Sequence, residues 1–366
     1  MPGSNVDHLS GNGPDVASLS CSIAGGDWRI RDARASALAE LAVSDAHRLD
    51  EQLRISMVGR LNAMIDAVAR ALRGRAVQEL KDCSHPALAA RLEDARDVAA
   101  DVADPRFFMR SGLADELYAQ QGLTLLARSL PISAGEDPQR PSLLVRLTED
   151  HDRDIAAAAR AMLIAESGDL ESDGSVSDLP DHLQHRFVWQ VAAALRLSVS
   201  PVDAVETTAL DRAIEGAANA CLTEYDDQVR AEAAAMSLAE RFDGEKAGRT
   251  DLLLEALEDR RPRLFVALLA CGLRMEFPAM RDIVVDRDGA LCWMALRALG
   301  LERPEIARVG YPLAEAKGDR FVQDLADSLE TIAAMESAAA LDALSLHRAG
   351  SAYREAVQSV ATLRKR

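Results

Sequence analysis

The chain repeats one short pattern, in which an apolar run is followed by a cluster of charged residues and then by a second apolar run. In the first copy, Leu143–Leu147 precedes the acidic cluster at 149–154, and Ile155 opens an alanine-rich run. Apolar runs on both sides of a polar turn predict a helix, a tight turn and a second helix. Three further copies surround charged clusters at 224–227, 258–262 and 286–289.

Repeated helix pairs are expected to stack, because a single pair cannot close a hydrophobic core. The spacing of the copies is irregular, and HEAT-type units run about 40–47 residues. The sequence therefore predicts an all-α fold, built as a degenerate HEAT-like α-solenoid, with an irregular all-helical domain as the alternative. The second helices of the units open at Ile155, Phe187, Val229, Leu264 and Leu291, at separations of 32, 42, 35 and 27 residues.

A long amphipathic helix is predicted from Glu51 onward, with Asp50 as its N-cap. Its apolar residues recur at steps of three or four, so they share one face of the helix. This face predicts an N-terminal helical bundle segment. The face either packs on residues 88–128 of the same chain or forms the seam of a homodimer. The stripe consists of Met57, Leu61, Ile65 and Val68.

Shifts in composition divide the chain into four predicted regions. The first residues are rich in Gly, Ser, Asn and Asp and are typical of a disordered tail. A second polar stretch, rich in acidic residues, is typical of a linker between helical regions. We predict a tail over 1–26, an N-terminal helical segment with the first repeats over 27–165, an acidic linker over 166–181, and C-terminal helical repeats over 182–366.

The chain is acidic, with 42 Lys and Arg against 59 Asp and Glu and a formal net charge of −17. A solenoid that binds nucleic acid needs a basic surface, so nucleic acid is not expected as a partner. The longest apolar run, 264–272, is far shorter than the roughly 20 residues of a membrane-spanning helix. The five cysteines are widely spaced and form no CxxC pair, which favours a reducing, cytoplasmic location.

Two stretches of the chain resemble an uncharacterised bacterial family of HEAT-like helical-repeat proteins. The stretch Arg48-Leu49-Asp50-Glu51-Gln52 through Ile65, with 68–73, is similar to the family's N-terminal helix. The stretch Leu264–Leu301 is similar to its later repeats. The likeness spans residues 45–310, roughly, and is carried mainly by packing positions. No activity is established for the family, so the resemblance implies a fold and transfers no catalytic residue.

One acidic stretch is similar to the start of an EF-hand calcium loop. Asp169, Glu171 and Asp173 occupy alternate positions, and Gly174 stands at the position of the sharp turn. The final position, which should be a bidentate Glu, is Pro180. Since this removes two of the expected oxygen ligands, a flexible acidic linker is the favoured interpretation.

Two histidines are the other candidate metal ligands. His182 and His185 are three residues apart, so they share a helix face and could hold one ion. No third His or Cys lies near them in the sequence, and a surface pair is the favoured interpretation. We assign no metal site, no cofactor and no catalytic residue, because the chain has no phosphate-binding glycine loop, GxSxG or HExxH motif.

The combined pattern predicts a non-enzymatic α-solenoid scaffold or adaptor that binds a protein partner with a basic patch, in bacterial regulation. Two alternatives stay open: a small-molecule or metal-dependent enzyme on a helical-repeat fold, and a calcium-linked regulatory protein. The polar positions of the second helices are the candidates for partner contact. They are Arg230, Glu232, Arg260, Arg263 and Arg297.

Overall fold

The computed structural model describes residues 51–102, 112–131, 141–171, 179–242, 248–286 and 289–364. Within these ranges every regular element is a helix, which confirms the predicted all-α class. None of the helices in these ranges has the length and apolar character needed to cross a membrane. The tail predicted over 1–26 lies outside the described residues, and the HEAT-like stacking and the cytoplasmic location stay predictions.

The helices of the described residues are numbered in chain order. The first are α1 (Glu51–Asp82), α2 (Pro86–Glu93), α3 (Ala99–Val102), α4 (Leu113–Ser129), α5 (Leu143–Leu147) and α6 (Arg153–Glu171). Next come α7 (Asp181–Ser198), α8 (Ala204–Thr223), a 3-10 turn (Asp227–Val229) and α9 (Ala231–Glu240). The last are α10 (Arg249–Glu258), α11 (Pro262–Leu273), α12 (Phe277–Val285), α13 (Ala290–Ala298), α14 (Arg303–Lys317), α15 (Asp319–Ala334), α16 (Ser337–Ala343) and α17 (Ser351–Arg364). The charged clusters at 149–154, 224–227 and 258–262 coincide with turns between two helices, as predicted, and the described residues of the fourth cluster, Asp286 and Gly289, lie between α12 and α13.

Acidic residues in two of these clusters accept hydrogen bonds at the start of the helix or 3-10 turn that follows. The Asp152 carboxylate accepts hydrogen bonds from the backbone N–H groups of Asp154 (2.8 Å) and Ile155 (3.4 Å). The Asp226 carboxylate accepts one from the N–H of Gln228, at 2.9 Å. Because the first N–H groups of a helix have no partner within it, short acidic side chains are favoured at this place. Helix capping therefore explains the acidic residues of these two clusters, whereas α11 and α13 follow Arg261 and Gly289, which form no side-chain cap.

By packing, the chain separates into two compact units. Among the described residues, the N-terminal unit contains those of 51–125 and 141–241, and the C-terminal unit contains those of 126–131 and 242–364. The segment predicted as a linker, 166–181, falls within the N-terminal unit. Its first six residues continue helix α6, which ends at Glu171.

In the N-terminal unit, α1 packs along α8 and also contacts α2, α3 and α7. The four residues of the predicted stripe are between 0% and 7% exposed and belong to this core. Leu72, Leu80 and Leu210, each 0–1% exposed, extend the same core. The stripe is therefore occupied by helices of its own chain, and in this fold its side chains do not present a seam to a second copy.

In the C-terminal unit, Trp293 lies in the core at 1% exposure. Gly289 precedes helix α13 with φ +67°, and a Cβ atom there would lie 3.2 Å from the Trp293 indole. Gly310 in α14 approaches the same ring, at 3.3 Å. Glycine is therefore favoured at both positions beside this tryptophan, by the backbone conformation at 289 and by close helix packing at 310.

Arginine side chains bind carbonyl oxygens near the ends of neighbouring helices in the C-terminal unit. The last carbonyls of a helix have no partner within it and lie at the negative end of the helix dipole, so a guanidinium is favoured there. Arg260 and Arg297, predicted to face a partner, take this structural role. The bonds run from Arg260 Nε to Ala127 O (2.6 Å), from Arg297 Nε to Met335 O (2.6 Å), from Arg297 Nη1 to Leu301 O (3.0 Å) and from Arg348 Nε to Leu273 O (3.1 Å).

Replacing Arg297 with methionine is expected to lower the free energy of unfolding by about 2–3 kcal/mol. The Arg297 side chain is 12% exposed, so the carbonyls of Met335 and Leu301 would lose a charged donor in a place that water hardly reaches. Chemical denaturation followed by circular dichroism measures the change. Arg308→Met is the matched control: its partner, Asp251, is 3.0 Å away and both side chains are mostly exposed, so less than about 1 kcal/mol is expected. Equal losses in the two variants would contradict the capping role.

Candidate functional site

Two of the residues predicted to face a partner lie inside the N-terminal unit. Arg230 is 9% exposed and Glu232 is 7% exposed. Arg230 Nη2 donates to Glu232 Oε2 at 2.9 Å, and Arg230 Nη1 lies 3.3 Å from the Asp227 carboxylate. Arg263 is partly buried in α11. Arg230 and Glu232 are thus parts of the protein interior in this fold, where they pair with each other.

Arg230 and Glu232 belong to a buried polar cluster with Glu116 and Gln120 of α4. Gln120 Nε2 donates to Glu116 Oε1 at 2.9 Å, and these two residues are 7% or less exposed. Burial works against the charge of Arg230, but the carboxylates of Glu232, Glu116 and Asp227 outweigh it and raise the pKa of the guanidinium. The cluster joins α4 to the start of α9. Since all four side chains are covered, its geometry suits a structural role rather than substrate binding.

Tyr225 extends the polar network toward the start of α7. Its hydroxyl group bonds to the carbonyl oxygen of Leu179 and to the Asp227 carboxylate, the latter at 2.9 Å. Burial, and then the hydrogen bond with Asp227, raise the pKa of Tyr225 far above its usual range. The phenol is therefore held neutral and serves to fix the turn between α8 and α9.

The two histidines predicted as metal candidates are exposed on the first turns of α7. The ring of His185 lies near that of Trp189, with centroids 6.4 Å apart and an interplanar angle of 51°. Among the residues that the structure describes, no group of three or more His, Cys, Asp or Glu side chains is placed to hold a metal ion. His182 and His185 therefore gain no further ligand in the described part of the chain.

The candidate calcium loop begins inside a helix. Asp169 and Glu171, which would be its first and third positions, belong to the last turns of α6. Asp173 lies outside the described residues. An EF-hand loop leaves the helix before its ligands converge on the ion. The helical backbone at 169–171 therefore differs from that arrangement.

A groove of about 520 Å³ lies in the N-terminal unit, between the end of α1 and the first half of α8. Ala209 is partly exposed in the groove, Val205 and Thr208 are exposed at its edge, and Leu80, at 1% exposure, adds almost no accessible surface. Sequence reasoning did not single out this place, although Val205 is an apolar residue on the outer face of a helix. The lining residues are Glu79, Leu80, Cys83, His85, Ala204, Val205, Thr208, Ala209 and Arg212.

The walls of the groove are set by local signals in the sequence. Helix α1 ends at Asp82, and Ser84 adopts φ +65°, so the chain turns sharply before α2. Pro86 then occupies the first turn of α2, where it has no helical hydrogen bond to lose. Asp203 caps α8 by accepting from the N–H of Glu206 at 2.8 Å. These turns bring Cys83 and His85 beside the first turns of α8.

Ion pairs lie at the groove and near it. Arg212 Nε lies 3.7 Å from Glu79 Oε1, and Arg91 Nη2 donates to Glu206 Oε2 at 2.5 Å. The hydrogen bond from Arg91, and then that from the N–H of Val202, lower the pKa of the Glu206 carboxyl. The Arg212–Glu79 pair therefore belongs to the groove, whereas the Arg91–Glu206 pair lies outside its lining residues.

Exposed apolar side chains gather at the turn from α7 to α8. Leu197 is 79% exposed, Val202 is 80% exposed and Val205 is 65% exposed. Apolar surface surrounded by polar and charged residues is typical of protein interaction sites. The cysteine of the groove, Cys83, is an exposed free thiol. Chemically, the groove offers apolar contact with a charged rim.

Comparison with known proteins finds a match to one family model and identifies no activity. No curated protein and no solved structure matches the chain. The stretch Leu264–Leu301, which resembles a bacterial helical-repeat family, lies inside the matched region, whereas 48–73 precedes it. Helix α8 of the groove also lies inside this region. Residues 174–354, about half of the chain, match the model of a family described as an uncharacterised protein conserved in bacteria (DUF2336).

Proposed function

We propose that this protein is a non-enzymatic adaptor that binds a partner protein through the groove between α1 and α8. One observation carries the proposal: Val205 is 65% exposed at the edge of a groove whose lining includes Leu80, Ala204 and Ala209. Covering an apolar side chain contributes up to about 1.5–3 kcal/mol, so a partner gains affinity where this surface is covered. The Arg212–Glu79 pair also lines the groove and would be available to a partner seated there.

The overall charge supports a partner with a basic surface. The chain carries a net charge of −17. Complementary charge mainly speeds the encounter of two proteins and suppresses wrong partners, while buried apolar contacts supply more of the affinity. The proposal therefore places affinity in the groove and selectivity in the acidic surface around it.

Photo-crosslinking from Cys83 tests the proposal. A benzophenone maleimide attached to this exposed thiol places the reactive group inside the groove. In extract of the source cells, we expect a defined crosslinked protein that is absent with Cys83→Ser and lost, by about tenfold or more, with Val205→Glu. The purified partner should bind the wild-type chain with the same dependence on Val205.

Ile164→Glu is the matched control for Val205→Glu. Ile164 is 70% exposed on α6 of the same unit and is not a lining residue of the groove, so the same new charge should leave crosslinking unchanged. A product that forms equally in Cys83→Ser, or that responds equally to both glutamate variants, would overturn the proposal. The absence of any Cys83-dependent product would do so as well.

A further inference from the structure

The groove is open along one side, and this shape distinguishes a helix from a small ligand. Val205, Thr208 and Arg212 are all exposed, and they follow one another at spacings of three and four residues on one face of α8. These three exposed residues of α8 span two turns, or about 10 Å of helix length. Small-molecule sites bury most of the ligand surface, whereas a trough between two helices suits a third helix lying along it.

Two helices form the walls, and their surfaces supply the contacts that a third helix needs. On the other wall, Glu79 and Leu80 belong to the last turn of α1, and Cys83 directly follows this helix. The small side chain of Ala209 lies between the more prominent residues of α8. Helices pack at interaxial distances of about 8–10 Å by placing side chains of one between those of another. Large apolar residues on one face of a partner helix would fill the space between α1 and α8.

The charges around the groove determine whether a positively or a negatively charged partner fits it. The segments that form and flank it, 79–94 and 203–215, contain eight Asp or Glu and three Lys or Arg, a net charge of 3 − 8 = −5. The three cations are all engaged by acidic groups of the same segments, in the pairs Lys81–Glu93, Arg91–Glu206 and Arg212–Glu79. Five further acidic residues are exposed: Asp82, Asp94, Asp203, Asp211 and Glu215.

Within the described part of the chain, Asp211 is the one of these five with an arginine partner outside the two segments, namely Arg196. Excess negative charge is therefore exposed on the segments that form and flank the groove. A partner with Lys or Arg beside its apolar face would complement it. A second copy of this chain would bring another net charge of −17, and anionic lipid or nucleic acid would also be repelled.

We propose that the groove takes a basic amphipathic helix of a partner protein, with a stripe of large apolar residues between α1 and α8 and with flanking Lys or Arg against the exposed carboxylates. This inference rests on the proposed function and specifies the class of partner. The apolar stripe gives the contact between the three helices, and the basic flanks give orientation and selectivity.

Two designed peptides test the inference on the full chain. Both have about 18 residues, or five helical turns, and share one leucine stripe, with lysine at all other positions of the first and glutamate at those of the second. Fluorescence anisotropy measures affinity, and mass spectrometry follows the alkylation rate of Cys83, with the partly buried Cys221 as an internal reference.

We expect the lysine peptide to bind at least about tenfold more tightly than the glutamate peptide and to slow the alkylation of Cys83 but not that of Cys221. Its affinity should fall as salt is added, because exposed charges are screened. The charge of the lysine peptide alone could attract it to an acidic surface. A separate variant therefore tests the apolar contact. A Val205→Asn variant should weaken binding, whereas Ile164→Asn should not.

Three outcomes would overturn the inference. Equal binding of the two peptides would remove the role of charge. Binding of the lysine peptide without protection of Cys83, or without any response to Val205→Asn, would show attraction to the acidic surface elsewhere. Failure of the lysine peptide to bind would remove the basic helix as the occupant. In each case a Cys83-dependent crosslink to a partner protein would still support the proposed function. Failure of the inference can therefore be distinguished from failure of the proposed function.

Discussion

Replacing Arg230 with methionine is expected to lower the free energy of unfolding by about 3–5 kcal/mol. Arg230 is 9% exposed, and its removal leaves the buried Glu232 without the cation that bonds to it at 2.9 Å. Glu116, a second carboxylate at 7% exposure, also loses this electrostatic partner. Urea denaturation monitored by circular dichroism measures the loss.

The double variant Arg230→Met with Glu232→Leu should recover only part of that loss, because Glu116 still lacks the cation. Removing both members of a buried ion pair avoids an uncompensated charge and can leave a well-packed apolar contact. Arg241→Met is the single-site control in the same unit, because Arg241 and Asp154 form an exposed pair at 3.5 Å. A loss for Arg230→Met no larger than that for Arg241→Met would show that the buried polar cluster does not stabilise the fold.

Replacing Leu61 with aspartate is expected to destabilise the N-terminal unit by about 5 kcal/mol or more. Leu61 is 7% exposed in the core that α1 forms, so the change removes apolar contact and introduces a carboxylate with no partner. The expected result is unfolding of the chain rather than the dissociation of a folded dimer. Circular dichroism and sedimentation of the same sample distinguish these results.

Ile55→Asp provides the control on the same helix. Ile55 is 61% exposed, so the same carboxylate should change stability by less than about 1 kcal/mol. If Leu61→Asp retained its helicity and thermal midpoint while its sedimentation mass halved, the stripe would be a seam between two copies. That result would contradict the packing of α1 against α8.

Capping accounts for much of what looked like surface chemistry in the sequence. In two of the acidic clusters, Asp152 and Asp226 accept hydrogen bonds from N–H groups at the start of the helix or 3-10 turn that follows. Arg260 and Arg297 bind the carbonyls at helix ends. When charged residues recur regularly in a helical chain, capping of helix ends is therefore the first interpretation to test, ahead of contact with a partner.

The groove could not be predicted from the sequence, although each of its walls could. Helical periodicity placed α1, and the polar cluster after Leu222 placed the end of α8. Val205 gave a weak signal, because it is an apolar residue on a helix whose core face is formed by Leu210, Ala213 and Ile214. No pattern in either segment states that these two helices are neighbours.

By itself the sequence determined the helical class, the turns between helix pairs and the burial of one face of α1. These properties depend on the spacing of apolar residues and on caps a few residues apart, so they are local. Only the tertiary structure decided that α8 covers α1, that Arg230 pairs with Glu232 inside the protein, and that Val205 stands beside Cys83 at a groove. Those contacts join residues far apart in the chain, and they are fixed by how all the apolar faces pack together, which no single segment specifies.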